Sequence, residues 1–198
     1  VPDGDTGTNM SRTLDAVVAE LEGAGPEMDA TCKAISHGSL MGARGNSGVI
    51  LSQILRGLSA TLKVASEHGA VKVAEALKAA SVAAYDSVLK PIEGTILTVV
   101  REAADAAVRA AGDGATLAAM LRVARAAGRE SLANTPELLP VLKEAGVVDA
   151  GGAGFLRLGD HRQGQRGFTG RLRTVDLDDT AFWQAADAQR DVQTQRTS

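Results

Sequence analysis

Two aspartates separated by one glycine stand near the start of the chain, in the segment VPDGDTGTNM. Carboxylates surrounded by small residues offer the hard oxygen ligands that Mg²⁺ and Ca²⁺ prefer. The segment therefore predicts a divalent-metal site at Asp3 and Asp5, with the polar side chains of Thr6, Thr8 and Asn9 beside it. An isolated Asp-Gly pair is more often a solvated turn, so this prediction depends on the rest of the chain.

A second candidate site is the glycine-rich segment HGSLMGARGNSGVIL, which precedes an apolar helical pattern. We expect Asn46 or Ser47, flanked by Gly45 and Gly48, to cap the helix that follows. The unpaired N–H groups at a helix N-terminus attract anions, and phosphate above all. Arg44 is a candidate second contact to the same anion, although a surface or structural role is the more common one for an arginine. A helix cap without any ligand is the alternative.

Neither segment fits the commonest motif of its kind. GARGNSG lacks the Gly-Lys-Ser/Thr ending of a Walker A loop. In the DGDTGTNMSRTL segment, Leu14 stands where an EF-hand requires a bidentate glutamate. The spacing therefore excludes both a P-loop and an EF-hand.

Two further segments carry small residues suited to close contact with a ligand. Thr95 lies in IEGTI, and Gly151 and Gly152 lie in VVDAGGAGF. Each also has a structural interpretation, as a helix cap for the threonine and as close helix packing for the glycines. Taken with the aspartates and the first glycine segment, they outline a nucleoside triphosphate site with metal, phosphate-binding amides and a small-residue surface for the base.

Helical periodicity covers the chain from residue 11 to residue 158, and no run shows the two-residue alternation of a half-buried strand. The apolar stripe from Leu51 to Leu62 predicts a core face. Pro91, Gly112 and Gly146 are expected to limit helices. These patterns predict an all-α domain over residues 1–158 and a polar tail over residues 159–198 that adds little to the core.

Composition narrows the class of protein. The chain has 198 residues, 44% of them hydrophobic, a net charge of −3 and one cysteine. One aliphatic core is expected, and the absence of a basic stripe disfavours nucleic acid or an anionic membrane as a partner. No apolar run reaches the ~18 residues of a membrane span, and a single Cys32 cannot form an internal disulfide. We therefore expect a cytoplasmic protein, and one that continues at both ends because the chain starts inside a motif.

Four segments, in this order, resemble one known family: PDGDTGTNM, GSLMGARGNSGVILSQILRG, EGTILTVVREAA and TPELLPVLKEAGVVDAGGAGF. They are similar to the nucleotide-binding domain shared by the dihydroxyacetone kinase L subunit and the ATP-binding subunit of bacterial fatty acid kinase, and closer to the latter. The resemblance covers about the first 158 residues. It implies a closed barrel of about eight antiparallel helices, with ATP or ADP and two Mg²⁺ ions at one end.

The resemblance also implies roles for individual residues. Asp3 and Asp5 match the magnesium-binding aspartates. Together with Arg44, which is a candidate because of its permanent charge rather than the resemblance, they form the predicted catalytic set. The family has a further metal ligand upstream of Asp3 that this chain does not contain. Nucleotide contacts are implied for a larger set: Thr6, Thr8, Asn9, Gly45, Asn46, Ser47, Gly48, Thr95, Gly151 and Gly152.

The implied reaction is in-line phosphoryl transfer from ATP. A fatty-acid carboxylate presented by a separate acyl-binding protein is the expected acceptor, because a carboxylate is already ionised and needs no general base. Two alternatives stay open: transfer to dihydroxyacetone, and a nucleotide-binding or partner-binding module without turnover. A homodimer is also compatible with the resemblance.

Overall fold

The computed structural model describes residues 4–65 and 68–160, and every regular element in these ranges is an α-helix. The predicted all-α class is confirmed. The helices are α1 (Thr6–Glu22), α2 (Met28–Gly42), α3 (Gly45–Lys63), α4 (Ala70–Asp86), α5 (Ile96–Gly112), α6 (Leu117–Ala133), α7 (Thr135–Leu138), α8 (Pro140–Ala145) and α9 (Ala150–Asp160). Apart from its first two residues, the predicted polar tail lies outside the described residues.

The described helices number nine rather than about eight, because the segment before α9 forms two short helices. Pro140 starts α8 at a position where its missing N–H costs nothing, which separates it from α7. Gly146 ends α8 with a left-handed φ of 65°, and Gly112 is the last residue of α5, both as predicted. Helix α4 ends at Asp86, five residues before Pro91.

Consecutive helices from α1 to α6 pack side by side, and α9 contacts α1, α5 and α6, which closes the ring. Contacts at the glycines show which helices run parallel and which run antiparallel. Gly38 and Gly42 of α2 lie against residues 16–17 and 12–16 of α1, so these two helices are antiparallel, whereas Gly45 and Gly48 of α3 follow Asn9 and Thr13 of α1 in parallel. Gly151 and Gly152 of α9 follow Ile96 and Val99 of α5 in parallel, and Gly154 lies against Met10 near the start of α1. Helices α1, α3, α5 and α9 therefore begin at one end of the bundle, which we name the common end.

The core is aliphatic and rich in alanine, as the composition predicts. Leu51 is fully buried and Ile54 nearly so, and Leu55 and Leu58 pack against the same cluster, which confirms the predicted core stripe of α3. This cluster joins residues of α1, α3, α4 and α5: Met10, Leu51, Ile54, Ala80, Ala84, Ile96, Leu97 and Val100. Among the described helices, none combines the length and the apolar character needed to cross a bilayer.

Helices α1 and α2 approach each other closely at two glycines. A Cβ atom added to Gly38 would lie 2.7 Å from the carbonyl oxygen of Ala16 and 2.8 Å from the Cα atom of Val17. A Cβ atom added to Gly42 would lie 2.4 Å from the Cβ atom of Ala16. Only glycine fits at these positions, and the contact fixes the C-terminal end of α2 against α1 near the common end.

Candidate functional site at the common end of the bundle

The first turns of α1 and α3 lie in direct contact at the common end. A Cβ atom added to Gly45 would lie 2.3 Å from the Nδ2 atom of Asn9, and one added to Gly48 would lie 2.7 Å from the Oγ1 atom of Thr13. Gly45 also has a left-handed φ of 57°, which glycine adopts without steric cost. The two predicted ligand segments, which are distant in sequence, are therefore neighbours in space.

Asp5 stands at the N-cap position of α1 and accepts a hydrogen bond through Oδ2 from the Nδ2 atom of Asn9, at 2.8 Å. Asn9 is buried between this carboxylate and Gly45, whereas Asp5 is exposed. The amide of Asn9 thereby orients the carboxylate. Within the described ranges, the hydrogen bond from Asn9 is the one side-chain contact of this carboxylate.

Helix α3 starts without a side-chain cap among the described residues, and the prediction that Asn46 or Ser47 caps it is wrong. Arg44 occupies the N-cap position, because the left-handed backbone of Gly45 turns the chain into the helix before Asn46 is reached. The N–H groups of Gly45, Asn46 and Ser47 belong to the first turn, which has no intrahelical acceptor. In the described part of the chain, helix α1 also begins without a side-chain cap bond, with Asp5 at its N-cap position.

The guanidinium of Arg44 is engaged at the end of α2. Its Nη1 atom donates to the carbonyl oxygens of Met41 at 3.1 Å and Ala43 at 2.7 Å. The negative end of the α2 helix dipole also stabilises a cation at this position. In this conformation Arg44 ties α2 to the start of α3, and its catalytic role stays a prediction.

Thr6 and Thr8 lie in the first turn of α1, Thr6 half-buried and Thr8 exposed. Across the common end, Thr95 is the N-cap of α5: its Oγ1 donates to the carbonyl oxygen of Ile92 at 2.8 Å and accepts from the N–H of Leu97 at 3.4 Å. The structural interpretation of Thr95 is thus confirmed. Nucleotide contact by these three threonines stays a prediction.

Gly151 and Gly152 lie in the first turn of α9, so the VVDAGGAGF segment forms a helix start at this point rather than a loop. A Cβ atom added to Gly151 would lie 3.2 Å from the Cβ atom of Ile96, and one added to Gly152 would lie 2.8 Å from the Cγ2 atom of Val99. Both glycines are buried and allow α9 to pack closely on α5. Their contact with a base stays a prediction.

Asp149 is a residue of the common end that the sequence reasoning missed. Its Oδ2 atom accepts from the N–H of Gly152 at 2.6 Å, and burial raises the pKa of its carboxyl although backbone N–H groups of Gly152, Ile96 and Gly151 favour the charged form. An aspartate directly before a run of small residues is a typical N-cap signal. That signal was present in VVDAGGAGF.

Four side chains hold the loop that precedes Thr95, and we name them the Glu93 cluster: Tyr85, Glu93, Thr98 and Arg101. The Glu93 carboxylate accepts from Tyr85 at 3.0 Å, from Thr98 at 2.8 Å and from Arg101 at 2.6 Å. The Oγ1 atom of Thr98 also accepts from the N–H of Gly94 at 2.8 Å. The cluster therefore joins the end of α4, the loop and the start of α5.

Replacing Arg101 with glutamine should raise the pKa of Glu93. Burial alone raises this pKa, but the hydrogen bonds from Arg101, Thr98 and Tyr85 hold it below the usual 4.5. Because the folded-state pKa is depressed, the stabilisation is present above about pH 4.5 and is lost as the pH falls. The pair is partly exposed, so we expect a cost below about 1 kcal/mol.

A pH titration of ¹³C-labelled glutamate side chains by NMR would measure this shift directly. Lys78→Gln is the matched control. Lys78 of α4 pairs with Asp105 of α5, the helix that also carries Arg101, rather than with Glu93. An unchanged Glu93 pKa in the Arg101 variant would contradict the arrangement.

Of the two aspartates in the predicted metal pair, Asp5 is described and Asp3 lies outside the described residues. Across residues 4–65 and 68–160, no group of three or more histidine, cysteine, aspartate or glutamate side chains is placed to hold a metal ion. The donor chemistry of Asp5 nevertheless suits Mg²⁺, because it is an exposed carboxylate oriented by Asn9. Asp5 fits one ligand of such a site.

The chain is similar to proteins of one known family. The model of the DAK2 domain family matches residues 1–160. Protein YloV of Bacillus subtilis is 48% identical over 161 residues, and an uncharacterized protein of Staphylococcus saprophyticus is 48% identical over 156 residues. These matches cover 79% and 78% of the chain but only 28% of each relative, so the chain spans less than a third of their length. By its match over most of its length, the chain belongs to the DAK2 domain family.

Proposed function

We propose that this domain binds ATP with Mg²⁺ and transfers the γ-phosphoryl group to a fatty-acid carboxylate presented by a separate acyl-binding protein. The observation that carries the proposal is the pair of helix starts at the common end. Helices α1 and α3 meet there, and neither has a side-chain cap among the described residues. The exposed Asp5 carboxylate accepts from Asn9, which contacts the first residue of α3. Uncapped N–H groups and a carboxylate are the complementary parts of a metal–phosphate site.

Each group has a distinct task in this proposal. The first-turn N–H groups of α3 and α1 bind phosphate oxygens, and Asp5, oriented by Asn9, is a metal ligand together with Asp3. When bound, Mg²⁺ neutralises charge on the β- and γ-phosphates. Catalysis then comes from positioning the acceptor in line with the γ-phosphorus and from stabilising charge.

The placement of the histidines favours a carboxylate acceptor over a hydroxyl. A hydroxyl such as that of dihydroxyacetone requires a base to take its proton. His37 pairs with Glu20, in the C-terminal half of α1, and His68 contacts the carbonyl oxygen of Leu62 at the end of α3. Neither of these two described histidines lies at the common end, whereas an ionised carboxylate needs no base there.

Nucleotide binding is expected to stabilise the chain only when Mg²⁺ is present. A non-hydrolysable ATP analogue at about 100 times its dissociation constant should add about 2.7 kcal/mol to the free energy of unfolding. For a domain of this size, each kcal/mol raises Tm by about 2–4 °C. A thermal melt with analogue and magnesium, with each alone and with neither, measures the effect, and the absence of any shift in a folded sample would contradict the proposal.

The acceptor is identified by a transfer assay with radiolabelled ATP. Label transferred to a fatty acid on its carrier protein supports the proposed acceptor, and label transferred to dihydroxyacetone supports the first alternative. Magnesium-dependent binding without transfer to either supports the binding module without turnover.

A further inference from the structure

Thr13 lies about two turns into α1, and its side chain is fully buried. Its Oγ1 atom donates to the carbonyl oxygen of Asn9 at 2.8 Å, one turn earlier in the same helix. The hydroxyl proton is shared with the carbonyl oxygen of Gly42, the last residue of α2, at a longer distance of 3.4 Å. A bond to the preceding turn is common for a helical threonine, but the carbonyl group of a second helix within reach is not part of that pattern.

The same hydroxyl faces the first turn of α3. A Cβ atom added to Gly48 would lie 2.7 Å from the Oγ1 atom of Thr13 and 3.3 Å from the carbonyl oxygen of Asn9, so the hydroxyl occupies the space that a side chain on Gly48 would need. Residues 43–44 alone join α2 to α3. Thr13 therefore holds the end of α2 and the start of α3 against α1 at one point.

Asn9 and Thr13 together fix where α3 begins relative to α1. They lie on one face of α1, one turn apart, and they contact Gly45 and Gly48, which lie one turn apart on α3. Contacts on two successive turns restrict both the sliding and the rotation of one helix against the other. Asn9 also orients the carboxylate of Asp5. These two side chains therefore set the position of that carboxylate relative to the first-turn N–H groups of α3.

We propose that Thr13 is a positioning residue that makes the common end selective for Mg²⁺ over Ca²⁺. This inference rests on the proposed ATP binding, in which Asp5 is a metal ligand and the N–H groups of α3 bind the phosphates. Mg²⁺ requires near-ideal octahedral geometry with ligands at about 2.0–2.1 Å, whereas Ca²⁺ accepts longer ligand distances of about 2.3–2.6 Å in flexible arrangements. A fixed distance between the carboxylate and the phosphates therefore favours the smaller ion, and loosening of that distance removes the preference.

The test measures the affinity for a non-hydrolysable ATP analogue by isothermal titration calorimetry, once with Mg²⁺ and once with Ca²⁺, in the unmodified chain and in Thr13→Val. Valine keeps the branched shape of the side chain but removes the hydroxyl. We expect the affinity with Mg²⁺ to fall by about tenfold, as for other residues that orient a metal ligand, which is equivalent to about 1.4 kcal/mol. The affinity with Ca²⁺ should stay within about twofold, because that ion tolerates a changed ligand arrangement. The preference for Mg²⁺ is then lost.

Thr13→Ser keeps the hydroxyl and should keep the preference for Mg²⁺. Thr61→Val is the matched control, because the Oγ1 atom of Thr61 makes the same bond to the preceding turn, donating to the carbonyl oxygen of Gly57 at 3.2 Å. Thr61 lies in the last turn of α3, away from the common end, so both affinities should be unchanged. Circular dichroism at the titration temperature establishes that each variant is folded. Thr13→Ala, which also removes the hydroxyl and adds no bulk, replaces Thr13→Val if the latter does not fold.

A purely structural role for Thr13 would lower the affinities with Mg²⁺ and with Ca²⁺ by the same factor, and that result would overturn the inference. Unchanged affinities in Thr13→Val would also overturn it, as would loss of the preference in Thr13→Ser or equal affinities with the two ions in the unmodified chain. If the unmodified chain binds the analogue with neither ion, the proposed ATP binding itself fails, which is a different result from binding that is insensitive to Thr13.

Discussion

Asp5→Asn is expected to lower magnesium-dependent affinity for an ATP analogue by about 100-fold or more, equivalent to about 2.7 kcal/mol. Asparagine keeps the shape of the side chain and an oxygen acceptor but removes the negative charge that a hard divalent cation requires. The hydrogen bond between Asp5 and Asn9 shows that the carboxylate is already oriented before any ligand binds. Calorimetric titration with and without Mg²⁺ measures the loss.

Asp15→Asn is the matched control for this experiment. Asp15 is an exposed carboxylate on the same helix, and it lies more than two turns beyond the common end. Its replacement removes the same charge and should leave the affinity within about twofold. Equal losses in the two variants would indicate a general effect of charge, and an unaffected Asp5 variant would remove Asp5 from the proposed metal site.

Asn9 allows the orientation of this carboxylate to be tested apart from its charge. Asn9→Ala removes the Nδ2 donor but leaves Asp5 in place, so the loss should be smaller, about 10-fold to 100-fold, as for other residues that orient a metal ligand. An effect larger than that of Asp5→Asn would show that Asn9 contacts the ligand itself. That result would support the nucleotide contact implied for Asn9 by the family resemblance.

Gly38→Ala is expected to destabilise the fold by about 2 kcal/mol, within the usual range for an overpacked core. The added Cβ atom would lie 2.7 Å from a carbonyl oxygen and 2.8 Å from a Cα atom of α1, and these backbone atoms cannot move by a change of rotamer. Helices α1 and α2 would have to separate. Urea denaturation monitored by circular dichroism measures the change in the free energy of unfolding.

Gly112→Ala is the matched control: the same change from glycine to alanine should here raise the free energy of unfolding. Gly112 is the exposed last residue of α5, and a Cβ atom added to it meets no atom within 4 Å. Alanine reduces the entropy of the unfolded chain and should add about 0.5–1 kcal/mol. Stabilisation by both substitutions would show that helix propensity alone decides the outcome, and it would contradict the close helix approach at Gly38.

The two glycine-rich segments show which features of a helix start can be predicted from local sequence and which cannot. Both were expected to precede or form ligand surfaces, and both lie at the common end as first turns of helices. The starts differ in one respect that spacing does not reveal: α9 is capped by Asp149, and α3 has no side-chain cap among the described residues. Asn46 and Ser47 are good N-cap residues by type, but the left-handed backbone of Gly45 against Asn9 makes the helix begin before them.

The sequence by itself determined the all-α class, the core stripe of α3, the ends of α5 and α8, and the resemblance to a kinase family. Those features follow from periodicity, glycine and proline stereochemistry and short motifs, all of which act over a few residues. Only the tertiary structure decided that Asn9 meets Gly45, that Arg44 binds the end of α2 and that the first-turn glycines of α9 pack on α5. These contacts depend on how the helices pack against one another. Local sequence patterns do not specify that packing, because they describe only residues a few positions apart.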